Sequence, residues 1–89
     1  MDFRYAITYG KITAFTSGDD IVARMRKYKT GVEKHGVKMV FWGHPFGVEE
    51  DIVVVLDFGG DMKKYMALSM DETLTAPYSG SRTNFVLER

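Results

Sequence analysis

The chain has 89 residues, no cysteine, and a formal net charge of zero from 12 basic and 12 acidic side chains. This length predicts one domain over 1-89, and so small a domain usually needs a supplement to its core, such as oligomerisation. The missing cysteine excludes disulfides and thiolate zinc sites. The balanced charge argues against a nucleic-acid partner.

No apolar run approaches the ~20 residues that cross a bilayer, so we expect no contact with a membrane. The first residues lack the basic and apolar regions of a secretory signal, which makes cytoplasmic residence the expectation. Neither a phosphate-binding glycine motif nor a serine-nucleophile elbow occurs, and the two histidines lie far apart in the sequence. We therefore expect no cofactor and no metal site.

The first predicted element is a strand over about residues 2–12, where an aromatic-rich set alternates with other residues. Its members are Phe3, Tyr5, Ile7 and Tyr9. Ser17 is then a good N-cap for a helix that ends at His35 and Gly36. An apolar stripe marks the inner face of this helix: Ile21, Val22, Met25, Tyr28 and Val32.

The remaining predicted elements are a strand over 37–46, a strand over 51–58, a helix over 62–72, a loop over 73–80 and a strand over 81–88. Pro45 cannot donate to a ladder, so the second strand ends there or lies at a sheet edge. The β-branched run of the third strand predicts burial on both faces. Asp61 caps the second helix, whose inner face is marked by Met62, Tyr65, Met66 and Ser69.

The order β-α-β-β-α-β predicts an α+β, ferredoxin-like fold with a four-stranded antiparallel sheet and both helices on one face. On the helix side we expect Phe3, Tyr5, Ile7, Tyr9, Val37, Met39, Phe41, Ile52, Val54, Leu56, Phe58, Phe85 and Leu87. The other side would carry Ala6, Thr8, Val40, Trp42, His44, Val53, Val55, Asp57, Arg82, Asn84 and Val86.

The valines and the tryptophan of that second set form an apolar patch of several hundred Å², which predicts an interface. At ~25 cal/mol per Å², covering the patch is worth on the order of ten kcal/mol before entropy costs. We expect the cover to be a second copy of the sheet in a homodimer.

The segment Phe41–Pro45 at the end of the second strand, the valine-rich third strand and the element order carry a resemblance. Together they resemble the dimeric α+β barrel superfamily, which includes small EthD-like and antibiotic-biosynthesis-monooxygenase-like proteins. The similarity covers nearly the whole chain. It implies two sheets facing each other with the helices outside, and a small-molecule pocket between sheet and helices or within the barrel.

Two residues are candidates for chemistry. His44 follows an aromatic pair at a strand end and can transfer protons near neutral pH, although a histidine held by a backbone carbonyl is the structural alternative. Asp57 lies late in a buried strand and needs a partner such as Arg82 or Arg4, or else a raised pKa. Such a pair is equally compatible with a purely structural role.

Four residues are candidates for ligand binding: Trp42, Tyr9, Arg82 and Asn84. Trp42 can stack on a flat ligand, and its alternative role is that of an interface aromatic. Four tyrosines are predicted to line a cavity below the helices, with Tyr78 on a covering loop: Tyr5, Tyr9, Tyr28 and Tyr65. Plain core packing is the alternative for all of them.

Two functions follow as hypotheses. The first is a cofactor-free enzyme that acts on a small flat or aromatic compound held by Trp42, with His44 as acid or base. The second is a non-catalytic ligand-binding or assembly module whose barrel is filled by side chains, and cavity volume distinguishes the two. An RNA-recognition domain shares the element order, but it needs exposed aromatics on the third strand. Here that strand reads DIVVVLDF and has no aromatic residue except Phe58, which argues against this class.

Overall fold

The computed structural model describes residues 3–12 and 17–89. In chain order the elements are β1 (Phe3–Lys11), α1 (Gly18–Lys34), β2 (Lys38–Gly43), β3 (Ile52–Asp57), α2 (Met62–Ser69) and β4 (Ser79–Leu87). The strands form one antiparallel sheet in the order β2-β3-β1-β4. The predicted α+β architecture is confirmed; residue 2, where the first strand was predicted to begin, lies outside the described residues.

Helix α1 has the predicted ends and nearly the predicted inner face. The backbone N–H of Asp20 donates to the Ser17 side chain at 3.2 Å, which is the expected N-cap. After the last turn Gly36 adopts a φ of 76°, in the left-handed region that favours glycine. The predicted stripe is buried except for Val22, which is 39% exposed.

Helix α2 is shorter than predicted and turns a different face inward. It ends at Ser69, and the Asp71 side chain accepts from the backbone N–H of Thr73. A local side-chain acceptor of this kind competes with continuation of a helix. Leu68 is buried and Tyr65 half-buried, whereas Met62 and Met66 are 37% and 51% exposed, so the prediction that these two methionines face inward was wrong.

Strand β3 supplies the centre of the core, but it is not buried on both faces as predicted, because Val53 and Asp57 on the second face are only half-buried in the single chain. Its alternate residues Ile52, Val54 and Leu56 are at most 2% exposed, and Phe58 directly after the strand is 1% exposed. The strand has a hydrogen-bonded neighbour on each side, β2 and β1. The β-branched run therefore lies where both its backbone and one of its faces are fully covered.

Strand β1 turns the opposite way from the prediction. Ala6 and Thr8 are 0% and 6% exposed and face the helices, whereas the bulkier Tyr5, Ile7 and Tyr9 lie on the other face. Because β1 is a central strand, small side chains leave room for the helix residues that pack above it. The aromatic side chains fit where no helix lies.

Strand β2 changes face part-way along its length. Met39 pairs with Leu56 but Phe41 pairs with Val55, so Val40 is an extra residue in a β-bulge. Beyond the bulge, Trp42 points to the helix side, where it is half-buried against the core. The predicted faces of Phe41 and Trp42 were therefore both wrong.

The sheet face away from the helices, called the open face below, is rich in apolar and aromatic side chains. It carries Tyr5, Ile7, Tyr9, Lys38, Val40, Phe41, Val53, Val55, Asp57, Arg82, Asn84 and Val86. Phe41, Val40 and Val86 remain 54%, 44% and 37% exposed. An apolar second face is thus confirmed, although Tyr5, Ile7, Tyr9 and Phe41 replace Ala6, Thr8 and Trp42 in it, and His44, also predicted there, lies after the end of β2.

Candidate functional site

Three of the predicted ligand-binding residues lie together on the open face. Tyr9 is the cross-strand partner of Arg82, whose guanidinium carbon lies 4.4 Å from the centre of the tyrosine ring. Arg82 also forms a salt bridge with Glu50 at 2.8 Å, which lowers the pKa of that carboxyl. Asn84 lies two residue pairs further along the ladder, opposite Ile7. The fourth residue, Trp42, faces the other side of the sheet.

Asp57 is engaged by Arg4 at one end of the open face. The Arg4 side chain donates to both carboxylate oxygens at 3.1 to 3.2 Å, and the backbone N–H of Gly59 donates at 2.9 Å. These bonds, led by those from Arg4, hold the pKa of Asp57 below its usual range. The partner is thus Arg4, one of the two predicted, while Arg82 pairs elsewhere. A catalytic role for Asp57 stays a prediction.

His44 lies directly after β2, at the opposite end of β3 from Asp57, so the two catalytic candidates are not brought together. Its Nδ1 donates to the backbone carbonyl of Asp51 at 3.0 Å, and its ring meets Trp42 edge-on, with centroids 5.9 Å apart. These contacts match the structural alternative, in which a backbone carbonyl holds the histidine. Its role as an acid or base stays a prediction.

A cavity of about 170 Å³ lies between the sheet and the helices, and we call it the hydroxyl recess. Seven hydroxyl-bearing side chains line it: Thr8, Tyr28, Tyr65, Ser69, Tyr78, Ser81 and Thr83. Its apolar wall comes from Leu56, Leu68, Leu74 and Ala76. The recess therefore combines an apolar surface with hydrogen-bonding groups, the mixture typical of small-molecule sites.

The floor of the hydroxyl recess is a threonine pair on adjacent strands. Thr8 of β1 and Thr83 of β4 are cross-strand partners with their hydroxyl oxygens 2.8 Å apart. Above them the rings of Tyr28 and Tyr78 meet edge-on at 6.3 Å. Burial raises the pKa of both phenols, so both hydroxyls stay protonated and can donate at neutral pH.

The segment 71–78 forms one wall of the recess, and two of its side chains pack directly against glycines. A Cβ at Gly10 would lie 2.5 Å from Cδ2 of Tyr78, and a Cβ at Gly31 would clash with the Leu74 side chain. Gly31 lies inside α1, where glycine costs ~1 kcal/mol relative to alanine. The close approach of Leu74 is the physical reason for a glycine at this position.

Asp71 anchors the start of the same segment. Its Oδ2 accepts from Nε2 of His35 at 2.7 Å, and its Oδ1 accepts from the hydroxyl and the backbone N–H of Thr73 at 2.6 and 2.9 Å. The Thr73 hydroxyl, followed by His35, lowers the pKa of Asp71 from 3.8 to about 2. Both oxygens are thus occupied, and the wall of the recess is tied to the end of α1.

We expect the stabilising effect of Asp71 to be lost as the pH falls through about 4 towards 2. Because its pKa is lower in the folded chain than the ordinary 3.8, ionised Asp71 stabilises the fold above that value and not below about 2. Urea midpoints of the wild type and Asp71→Asn should therefore converge over this range. A gap between them that stays constant down to pH ~2 would contradict the assignment.

The hydroxyl recess was only partly anticipated from the sequence. Tyr28, Tyr65 and the covering Tyr78 were predicted around a cavity below the helices and are found there, whereas Tyr5 and Tyr9 are on the open face. The threonine floor was missed. Small residues at alternate positions, Ala6, Thr8 and Gly10, form one face of β1, but the alternation alone does not show that this face lies under the helices.

Within residues 3–12 and 17–89, no group of three or more histidine, aspartate or glutamate side chains is placed to hold a metal ion. Over the same ranges, no helix has both the length and the apolar character needed to cross a membrane. Comparisons of the chain with family models, curated proteins and solved structures gave no match. The resemblance to the dimeric α+β barrel superfamily therefore stays a prediction.

Proposed function

We propose that this protein is a cytoplasmic homodimer that binds a small aromatic compound in the hydroxyl recess of each protomer. The observation that carries the proposal is the recess itself. Its volume is about 170 Å³, and its lining joins leucine side chains to a floor of two threonine hydroxyls. A cavity of about 150 Å³ is enough to hold a benzene ring in an unrelated protein, so one aromatic ring fits here.

The lining also indicates which ring would bind best. Leu56 and Leu74 offer apolar surface to the ring, while Thr8 and Thr83 offer a hydrogen bond at its edge. A site built to pair a ligand hydroxyl disfavours the analogue that lacks it, because its own polar groups are then left unpaired. The preferred compound is therefore a phenol rather than a plain hydrocarbon.

Binding is favoured over turnover by the titratable groups of the recess. Tyr28 and Tyr78 have raised pKa values, while Asp71 has its pKa lowered to about 2 and both of its oxygens engaged. A general acid or base works best when its pKa is near the working pH. The pKa values of the two tyrosines lie well above neutral pH and that of Asp71 lies well below it. The alternative in which the protein is an enzyme would require His44 or Asp57 to act at another site.

A second copy is the proposed cover of the open face. Four strands spaced ~4.8 Å apart, with ~3.3 Å per residue, give a face of roughly 500 Å² per protomer. Two such faces bury about 1,000 Å², the lower bound for a specific interface. Two sheets pack ~10 Å apart, so Tyr5, Tyr9 and Phe41 would fill the space between them.

Thr83 and Asn84 are neighbours on β4 but lie on opposite faces of the sheet, so variants at the two positions test where the ligand binds. The probe is 4-ethylphenol, and binding is followed by isothermal titration and by the NMR signals of the tyrosine rings. Replacing both floor hydroxyls in Thr8→Val/Thr83→Val removes a hydrogen-bonded pair together, which is nearly neutral for stability. We expect this variant to weaken binding by about tenfold.

The matched control is Asn84→Leu, which changes the adjacent residue on the open face. We expect it to leave the affinity for 4-ethylphenol within about twofold of wild type. If Asn84→Leu weakened binding and Thr8→Val/Thr83→Val did not, the ligand would lie between the two sheets. If the wild type did not bind the phenol at all, the alternative of a non-catalytic assembly module with a side-chain-filled barrel would be favoured.

A further inference from the structure

A second cavity of about 310 Å³, called the outer cleft below, opens beside the hydroxyl recess on the surface of α1. It is lined by Lys27, Thr30, Gly31, Lys34, Thr73 and Thr75. Three further lining residues, Tyr28, Asp71 and Leu74, also line the hydroxyl recess. The two cavities therefore adjoin along a shared wall, and the proposed function uses only the inner one.

The lysines of the outer cleft lie on one face of α1. Positions 27, 31 and 34 are four and three residues apart, so Lys27, Gly31 and Lys34 follow one another along the helix surface. The missing side chain at Gly31 leaves the space into which Leu74 projects. Leu74 is thus the partition between the cavities, and the atom nearest to Gly31 is the flexible end of its side chain.

The charges of the outer cleft favour an anion. Lys27 and Lys34 each contribute a positive charge, and both oxygens of Asp71, the acidic residue in its described lining, accept hydrogen bonds from His35 and Thr73. The negative end of the helix dipole acts only over the last turn, at Lys34. Lys27 lies two turns further back, so it contributes the larger part of the attraction.

We propose that the hydroxyl recess and the outer cleft form one elongated site for an aryl carboxylate. Its ring would lie on the Thr8 and Thr83 floor, and its carboxylate would reach Lys27 and Lys34 past Leu74. This inference rests on the proposed function, because the ring occupies the recess assigned there. The described lining of the cleft holds two lysines and one aspartate, a net charge of +1, so a singly charged carboxylate is a better match than a doubly charged phosphate.

A pair of probes that differ in charge tests this inference. The acid is 3-(4-hydroxyphenyl)propionate and the neutral partner is its amide, and isothermal titration at low and high salt gives both affinities. We expect the acid to bind about tenfold more tightly than the amide at low ionic strength, with the preference reduced by salt. In Lys27→Gln/Lys34→Gln the preference should vanish while the affinity for the amide is unchanged.

The control is Lys29→Gln/Lys63→Gln, which removes the same net charge at two exposed positions outside the lining of either cavity. It should keep the preference for the acid. Equal affinities of the two probes for the wild type would overturn the elongated site and leave the recess proposal standing. If neither probe shifts the NMR signals of Tyr28 and Tyr78, both proposals are overturned.

Discussion

A Phe41→Glu substitution should convert the proposed homodimer into separate chains of 10.1 kDa. Phe41 is 54% exposed in the single protomer and lies on the open face, so the fold itself does not depend on it. In a two-fold interface each substitution occurs twice, and a carboxylate placed between apolar sheets loses its hydration without gaining a partner. We expect the dimer dissociation constant to rise by at least about 100-fold.

Sedimentation velocity over a range of micromolar concentrations measures this effect, and circular dichroism checks that the variant remains folded. Met70→Glu is the matched control, because Met70 is 75% exposed and lies at the end of α2 on the helix side. It should leave the dimer intact. A wild-type protein that sediments as a single chain at micromolar concentration would rule out the homodimer.

A Gly10→Ala substitution should destabilise the protein by about 1–3 kcal/mol, the usual range for overpacking a filled core. An added Cβ would lie 2.5, 2.6 and 2.8 Å from Cδ2, Cγ and Cβ of Tyr78. These atoms belong to the ring and its attachment point, so they cannot move aside by a small rotation of a flexible end. The tyrosine must shift, and one wall of the hydroxyl recess shifts with it.

Urea unfolding measures the loss of stability, and titration with 4-ethylphenol measures the change in the recess. Gly43→Ala is the control, because Gly43 is also a strand residue and an added Cβ there meets no atom within 4 Å. Its expected effect is neutral, or a stabilisation of up to about 1 kcal/mol from the stiffer unfolded chain. Equal unfolding midpoints for the two variants would mean that Tyr78 does not pack on Gly10 as described.

The sites proposed above draw on residues that are far apart in the chain. Thr8 and Thr83 are separated by nearly the whole sequence, yet their hydroxyls are 2.8 Å apart because β1 pairs with β4. Arg4 reaches Asp57 in the same way, across the pairing of β1 with β3. From the sequence, Asp57 was expected to need a cation such as Arg82 or Arg4, and only the structure shows that Arg4 is the partner.

The sequence by itself determined the elements whose signals are local. The capping serine, the apolar stripe and the closing glycine are enough to place α1, and the β-branched run is enough to place β3. These signals depend on backbone propensity and on the periodicity of neighbouring residues. The order of the elements then predicted the sheet, because few topologies join them without crossing.

Only the tertiary structure decided which face β1 and the end of β2 present. The alternation in β1 shows that two faces differ, but not which of them lies under the helices, and Ala6 and Thr8 lie there because packing requires small side chains. In β2 the bulge at Val40 reverses the alternation, and nothing in the adjacent residues marks it. The hydroxyl recess depends on the first of these outcomes, since Thr8 lies on its floor only when β1 faces the helices this way.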